Sequence, residues 1–187
     1  MPAVYAAEKF ADYPVHPAGS YAVTAEKAGL IIGVQPVEDL KDQKTYFDTE
    51  LTLRGFIPVF VVIENQSKED SFLFDKSGVV YGPEDSGIST PEVPSKMRDQ
   101  AALAGLASLA PVAGFAVMAK VNHVSHIQQN ILKKELQSRT LSPAASGYGF
   151  LYIPVPKNGP RQKIHIRIPV TRVSTQGPET FVLDMVF

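Results

Sequence analysis

The chain has 187 residues, of which 44% are hydrophobic and 20% are charged, with 18 basic residues against 19 acidic ones. This size and composition predict one globular domain, and the balanced charge gives no overall field that would attract nucleic acid or anionic lipid. The absence of cysteine excludes disulfides, thiolate metal sites and a cysteine nucleophile. The 15 prolines and 13 glycines favour many turns and short strands.

Residues 1–27 combine helix-breaking residues with scattered aromatic ones (Pro2, Pro14, Pro17 and Gly19; Tyr5, Phe10, Tyr13 and Tyr21). This composition predicts an extended N-terminal arm, which needs a surface of its own domain or of another chain to lie on. The first twenty residues lack the basic and apolar segments of a signal peptide. The small residues around Val4-Tyr5-Ala6 nevertheless fit the end of a cleaved leader, so a cytoplasmic and an extracytoplasmic location both stay open.

Three elements are predicted in the next forty residues. Ala28–Val37 reads as a first strand that stops near Pro36, and Glu38–Leu53 as one or two short helices that end at Gly55. Phe56–Asn65 is rich in Val, Ile and Phe and only ten residues long, which favours a strand over a helix. Both of its faces are apolar, so this strand should be covered on both sides near the middle of the fold.

Short elements follow the central strand. Ser71–Asp75 is predicted to be its hairpin partner, Gly78–Tyr81 a further short strand, and Gly82–Pro94 a loop. After the helical block, strands are predicted at Ser146–Val155, Lys163–Val170 and Glu179–Phe187, the last two with alternating apolar residues. Strands on both sides of a helical block, without βαβ alternation, predict an antiparallel β-sandwich over 28–187 with a helical insertion at 95–140.

The insertion contains the most unusual stretch of the chain. Ala101–Ala119 has 19 residues without a charge, and Lys120–Thr140 follows as an amphipathic helix. As one helix the uncharged block would reach about 28 Å, close to the thickness of a bilayer core, whereas Pro111 favours two shorter helices. Three interpretations stay open: a helical hairpin packed on its own domain, a docking surface for another subunit, or a membrane-inserted segment.

Two stretches resemble a known family. Val59–Gly87 contains Val-Phe-Val-Val-Ile-Glu-Asn-Gln-Ser followed by Ser-Phe-Leu-Phe-Asp, and Leu141–Tyr152 contains Leu-Ser-Pro-Ala-Ala-Ser-Gly-Tyr-Gly-Phe. Both resemble secreted or lipid-anchored bacterial immunoglobulin-like domains of the telokin-like type, with Ala144 where that pattern has glycine. The resemblance implies an immunoglobulin-like sandwich, an adhesive or assembly function, and a place outside the cytoplasm.

Candidate catalytic and metal-binding residues are few. His123 and His126 are three apart on the predicted helix, but a metal site needs a third ligand and supporting carboxylates, so solvated histidines are the simpler interpretation. Gly147-x-Gly149 lacks the third glycine of a nucleotide fingerprint, and no P-loop or zinc-protease spacing occurs. We therefore expect no cofactor, and an enzyme is the least favoured class of function.

The sequence favours a non-enzymatic structural or protein-interaction module, part of a larger assembly or a cell-envelope complex. The partner would be another subunit or a second copy, bound through apolar residues of the block and aromatic residues of the arm: Leu103, Leu106, Leu109, Val112, Phe115, Val117, Tyr5, Phe10 and Tyr13. The alternative is a membrane-associated envelope protein whose residues 101–119 enter lipid.

Overall fold

A computed structural model of the chain describes residues 10–82, 126–154, 163, 165–174 and 177–186. The fold is mainly β, with two antiparallel sheets and two helices among these residues. The strands are β1 Val23–Lys27, β2 Leu30–Pro36, β3 Phe56–Asn65, β4 Ser71–Phe74, β5 Val80–Tyr81, β6 Arg139–Leu141, β7 Ser146–Pro154, β8 His165–Ser174 and β9 Gly177–Val186. The helices are α1 Leu40–Phe47 and α2, residues 126–134.

The first sheet, sheet A, is organised around β3. Its strand order is β1-β2-β3-β7, and every neighbouring pair is antiparallel. Nine of the ten residues of β3 are buried, and the strand has the predicted bounds. The prediction of a central strand covered on both faces is therefore confirmed.

The second sheet, sheet B, is built on β8. The whole length of β8 pairs with β9, while its other edge pairs with β4 near Val173 and with β5 near Arg167. Strand β6 extends the sheet beyond β4. The predicted strands at Ser146–Val155, Lys163–Val170 and Glu179–Phe187 correspond to β7, β8 and β9.

Sheet A lies between two hydrophobic clusters. Its inner face shares one core with the inner face of sheet B, and β3 contributes Ile57, Val59, Val61 and Ile63 to it. Its outer face, with Phe56, Phe60 and Val62 of β3, carries a second cluster formed with both helices and the arm. Because both faces of a strand are buried only when layers lie on each side, the continuous apolar run of β3 matches this arrangement.

The predicted hairpin between β3 and Ser71–Asp75 is wrong, because β4 belongs to sheet B. The connecting turn carries the chain from one sheet to the other, and the buried side chain of Asn65 holds it. The Asn65 amide donates to the carbonyl oxygens of Asp70 and Leu141 at 2.8 and 3.0 Å, and its oxygen accepts from the Ser67 N–H at 2.9 Å. The hydrogen bonds of Asn65 thus hold the turn that carries the chain from sheet A to sheet B.

Helix α1 confirms the helix predicted within Glu38–Leu53. Asp39 caps its first turn by accepting from the backbone N–H groups of Lys41 and Asp42 at 2.7 and 3.2 Å. The helix ends at Asp48, whose φ is 54°. A single turn at Thr52–Arg54 follows and ends at Gly55, whose φ of 88° suits glycine.

Several predicted elements have different bounds in the structure, among them the first strand and the helix of the insertion. The first strand begins at Leu30 rather than at residue 28, because Ala28 and Gly29 have φ values of 54° and 80° in the turn from β1. Strand β1 itself lies within the predicted arm. The helix predicted over Lys120–Thr140 ends at residue 134 in its described part, and Arg139–Leu141 forms β6.

The end of α2 is fixed by a close approach to β7. The N–H of Leu136 donates to the carbonyl of Phe150 at 2.9 Å, which interrupts the helical hydrogen-bond pattern. Gly149 permits this contact, since a Cβ there would lie 2.6 Å from the backbone N and Cα of Leu136. At Gly147 a Cβ would instead meet the flexible side chain of Arg139 at 2.7 Å.

These two glycines give a matched pair of variants. We expect Gly149→Ala to lower the free energy of unfolding by about 1–2 kcal/mol, because backbone must move to relieve the overlap. Gly147→Ala should lower the free energy of unfolding by less than Gly149→Ala does, since the Arg139 side chain can rotate away. Urea unfolding of both variants measures the difference, and equal losses would contradict the close approach at Gly149.

Candidate interaction surfaces

The outer face of sheet A carries an aromatic layer. Phe60 and Phe150 are cross-strand partners on β3 and β7, and their ring centroids are 4.9 Å apart. Phe47 of α1 meets the Phe150 ring edge-on at 4.9 Å. The ring of Tyr13, from the arm, lies 4.7 Å from Phe60 and 5.2 Å from Phe150. One aromatic residue of the arm is therefore inserted into the core of its own chain.

A second contact fixes the arm next to β1. Residues Ala18–Ser20 form a single turn over β2, and Ala18 is fully buried. The turn fits only because residue 33 is glycine. A Cβ on Gly33 would overlap the carbonyl oxygen of Ala18 and lie 2.6 Å from Cδ2 of Tyr21. The described part of the arm, from residue 10 onward, packs on its own domain, which is one of the two kinds of surface that the sequence left open.

Helix α2 binds the C-terminal end of α1 through two polar side chains. The carbonyl oxygen of Tyr46 accepts from Asn130 Nδ2 at 2.8 Å and from Lys134 Nζ at 2.5 Å. Lys134 Nζ also donates to the carbonyl oxygen of Ala11 in the arm at 2.5 Å. The last carbonyls of a helix lack partners within it and carry partial negative charge, so an ammonium group is well placed there. Lys134 therefore joins both helices and the arm.

Burial changes the acid–base behaviour of this layer. The loss of hydration at Lys134 lowers the pKa of its ammonium from 10.5 to about 8, against a smaller opposing effect of Asp12. Burial also raises the pKa of the Tyr13 hydroxyl to about 12, and Tyr46 acts in the same direction. In both groups partial burial shifts the pKa in the direction that favours the neutral form.

The lowered pKa of Lys134 predicts a pH dependence of stability. Between about pH 8 and pH 10.5 the unfolded chain holds a proton on this lysine that the folded chain has lost, so stability should rise with pH in that window. The raised pKa of Tyr13 reverses the trend only above about pH 10, where unfolded tyrosine ionises.

Urea midpoints measured between pH 8 and pH 10 test this dependence. We expect the midpoint to rise across the window in the unmodified chain and in Lys41→Met, whose side chain is exposed. In Lys134→Met the rise should be reduced. A rise that persists unchanged in Lys134→Met would mean that another group causes it.

A shallow cleft of about 420 Å³ lies between the arm and sheet A. Its lining residues are Tyr13, Pro14, His16, Ser20, Tyr21, Ala22 and Gln35. The backbone N–H of His16 donates to the Tyr21 hydroxyl at 3.1 Å, which holds the rim of the cleft. Among the described residues that line the cleft, His16 is the one ionisable at neutral pH.

The outer face of sheet B differs from the outer face of sheet A, because no cluster of described residues covers it. Along β8 and β9 the residues that alternate with the buried ones point outward. Four outward apolar side chains of this sheet are exposed: Leu73 by 43%, Val173 by 48%, Val182 by 53% and Val186 by 40%. The surrounding outward residues include Pro169, Thr171, Pro178 and Thr180.

Charge is sparse on this outer face of sheet B. Among the described outward residues of β8 and β9, the ionisable ones are His165, Arg167 and Asp184. Arg167 and Asp184 are direct cross-strand partners, and Nδ1 of His165 lies 3.7 Å from the carboxylate of Asp184. Solvated sheet faces ordinarily carry polar residues at alternate positions. Exposed apolar side chains grouped on one sheet face with few charges are typical of an interaction surface.

Most of the predicted partner-binding residues lie outside the described residues: Tyr5, Leu103, Leu106, Leu109, Val112, Phe115 and Val117. Of the two described ones, Tyr13 packs within its own chain, and Phe10 is half-buried. His123 lies outside the described residues, and His126 is exposed. In the described part of the chain, no group of three His, Cys, Asp or Glu side chains could hold a metal ion. None of the described helices is long and apolar enough to cross a bilayer.

The sequence interpretation missed Lys134, Asn130 and the outer face of sheet B. A signal for the first two exists, because residues 127, 130, 131 and 134 follow one helical stripe in which two polar residues interrupt the isoleucines. For the face, the signal is the series of uncharged outward residues in β8 after Arg167 and in β9 before Asp184. Comparisons of the chain with protein families, with curated proteins and with solved structures gave no match.

Proposed function

We propose that this protein is a non-enzymatic protein-interaction module that binds a partner protein through the outer face of sheet B. The observation that carries the proposal is the group of exposed apolar side chains on that face, Leu73, Val173, Val182 and Val186. Large exposed apolar patches on a folded domain mark binding sites, since leaving them in water is unfavourable.

The proposal also includes the block at 101–119 and the N-terminal arm. The uncharged block at 101–119 would add a second contact with a partner in a larger assembly, with Leu106 near its centre. Tyr13 would contribute by holding the arm in place, because its ring packs on Phe60 and Phe150. We further propose an immunoglobulin-like sandwich, supported by two antiparallel sheets around one core and by a chain that crosses between them after β3.

Photo-crosslinking in the cells that produce the full chain tests this function. A photoreactive amino acid would replace Val182 on the outer face of sheet B, Leu106 in the block, or Leu53, whose 68% exposure makes it a control remote from sheet B. We expect discrete protein adducts from position 182 and position 106, and none from position 53. No adduct from position 182, or the same adducts from positions 182 and 53, would overturn the proposed use of this face.

A further inference from the structure

We propose that a second copy of this chain covers the β8–β9 part of the outer face of sheet B, an inference that rests on the function proposed above. The observation that supports this inference is the cross-strand pairing of β8 with β9. The two strands pair over ten residues without a bulge. The three outward cross-strand pairs in the middle of this ladder, here called rows, are Arg167 with Asp184, Pro169 with Val182, and Thr171 with Thr180.

This register makes the face complementary to itself. Consider a two-fold axis that runs parallel to the strands, above the outer face and midway between β8 and β9. It places each β8 residue of one copy opposite the β9 residue of the other copy that has the number of its own cross-strand partner. Arg167 of each copy then lies against Asp184 of the other, and Pro169 lies against Val182. Such an interface is isologous, as in most symmetric dimers, and resembles the face-to-face packing of two sheets about 10 Å apart.

The charges favour a second copy over a charged partner. The middle rows of the face carry one fixed positive and one fixed negative group, Arg167 and Asp184, so their net charge is zero. The Asp184 side chain is 55% exposed and can reach beyond its own sheet. Under the proposed axis every fixed charge meets an opposite one, whereas a strongly acidic or basic surface would bring like charges together.

The centre of the interface would be apolar. Val182 and Pro169 lie in the row between the charged pair and the threonine pair, and Val182 is the most exposed apolar residue of the face. Thr171 and Thr180 already share a hydrogen bond of 2.8 Å across the strands. One hydroxyl donates to the other within a single copy, so a second copy can cover this hydrogen bond without breaking it.

Charge reversal tests the arrangement with the full chain. We expect the unmodified protein to form a concentration-dependent dimer in sedimentation velocity at micromolar concentration. Arg167→Glu and Asp184→Arg should each weaken the dimer by at least about tenfold, because each puts like charges against one another at both contacts. An equimolar mixture of the two variants should restore dimers, since the new glutamate then faces the new arginine and Asp184 faces Arg167.

The mixture separates intermolecular from intramolecular effects. Each variant also breaks the cross-strand pair within its own copy, and mixing cannot repair that damage. A mixture that stays monomeric, or a dimer that neither variant weakens, would overturn the proposed axis. A strictly monomeric protein whose position 182 still forms adducts with a different protein would overturn self-association while leaving the proposed function intact. A strictly monomeric protein that forms no adducts from position 182 would overturn both self-association and the proposed function.

Discussion

Gly33→Ala should lower the free energy of unfolding by about 3 kcal/mol. The added methyl group would overlap the carbonyl oxygen of Ala18 and meet the ring of Tyr21, neither of which can move without shifting the arm. The turn at Ala18–Ser20, with its buried Ala18, would then leave β2, and part of the aromatic layer would lose its cover. We also expect faster proteolysis within the arm, because displaced backbone is accessible to a protease.

Gly19→Ala provides the matched control for this variant. It lies in the same turn, and a Cβ there would meet no atom within 4 Å. Its stability should stay within about 0.5 kcal/mol of the unmodified chain, the range of ordinary surface substitutions. Urea unfolding compares the two variants directly. If Gly33→Ala is as stable as Gly19→Ala, the arm does not pack on β2 as described.

Asn65→Ala should lower the free energy of unfolding by about 3 kcal/mol, as much as Gly33→Ala does. The substitution removes three hydrogen bonds from a side chain that is 2% exposed. The Asp70 carbonyl keeps a bond from the Ser67 hydroxyl at 2.8 Å, so the main loss falls on the Leu141 carbonyl and the Ser67 N–H. Both belong to the connection between the sheets.

Gln66→Ala is the control for Asn65→Ala, because Gln66 is exposed in the same turn. Its unfolding midpoint in urea should be close to that of the unmodified chain. Equal midpoints for the two variants would show that the Asn65 side chain does not hold the connection. The same bonds predict that Asn65, although it stands in an Asn-Gln-Ser sequon, stays unglycosylated in the folded chain, since its amide nitrogen donates to two carbonyls.

Much of the fold could be predicted from local patterns. The eight consecutive apolar residues of β3, the alternation in β8, and the cap of α1 at Asp39 are each encoded in a few neighbouring residues. Such signals are reliable because they depend on the period of a strand or on the first turn of a helix.

The errors concern contacts between distant residues. The destination of β4 depends on hydrogen bonds from Asn65 to Leu141, which are 76 positions apart. The end of α2 depends on a carbonyl of β7, and the burial of Tyr13 depends on strands that follow it by many residues. Sequence periodicity marks the outward residues of β8 and β9, but it contains no register between strands, so it did not show which of them lie side by side on the outer face of sheet B.

A single spin label on the outer face of sheet B tests the central claim most directly. The chain has no cysteine, so Val182→Cys gives one label per molecule, and any dipolar signal must arise between two copies. We expect this label to give a short interspin distance at micromolar concentration, whereas a label at Leu53→Cys gives a longer distance or none. If the label at position 182 shows no dipolar coupling at any concentration, a second copy does not cover this face.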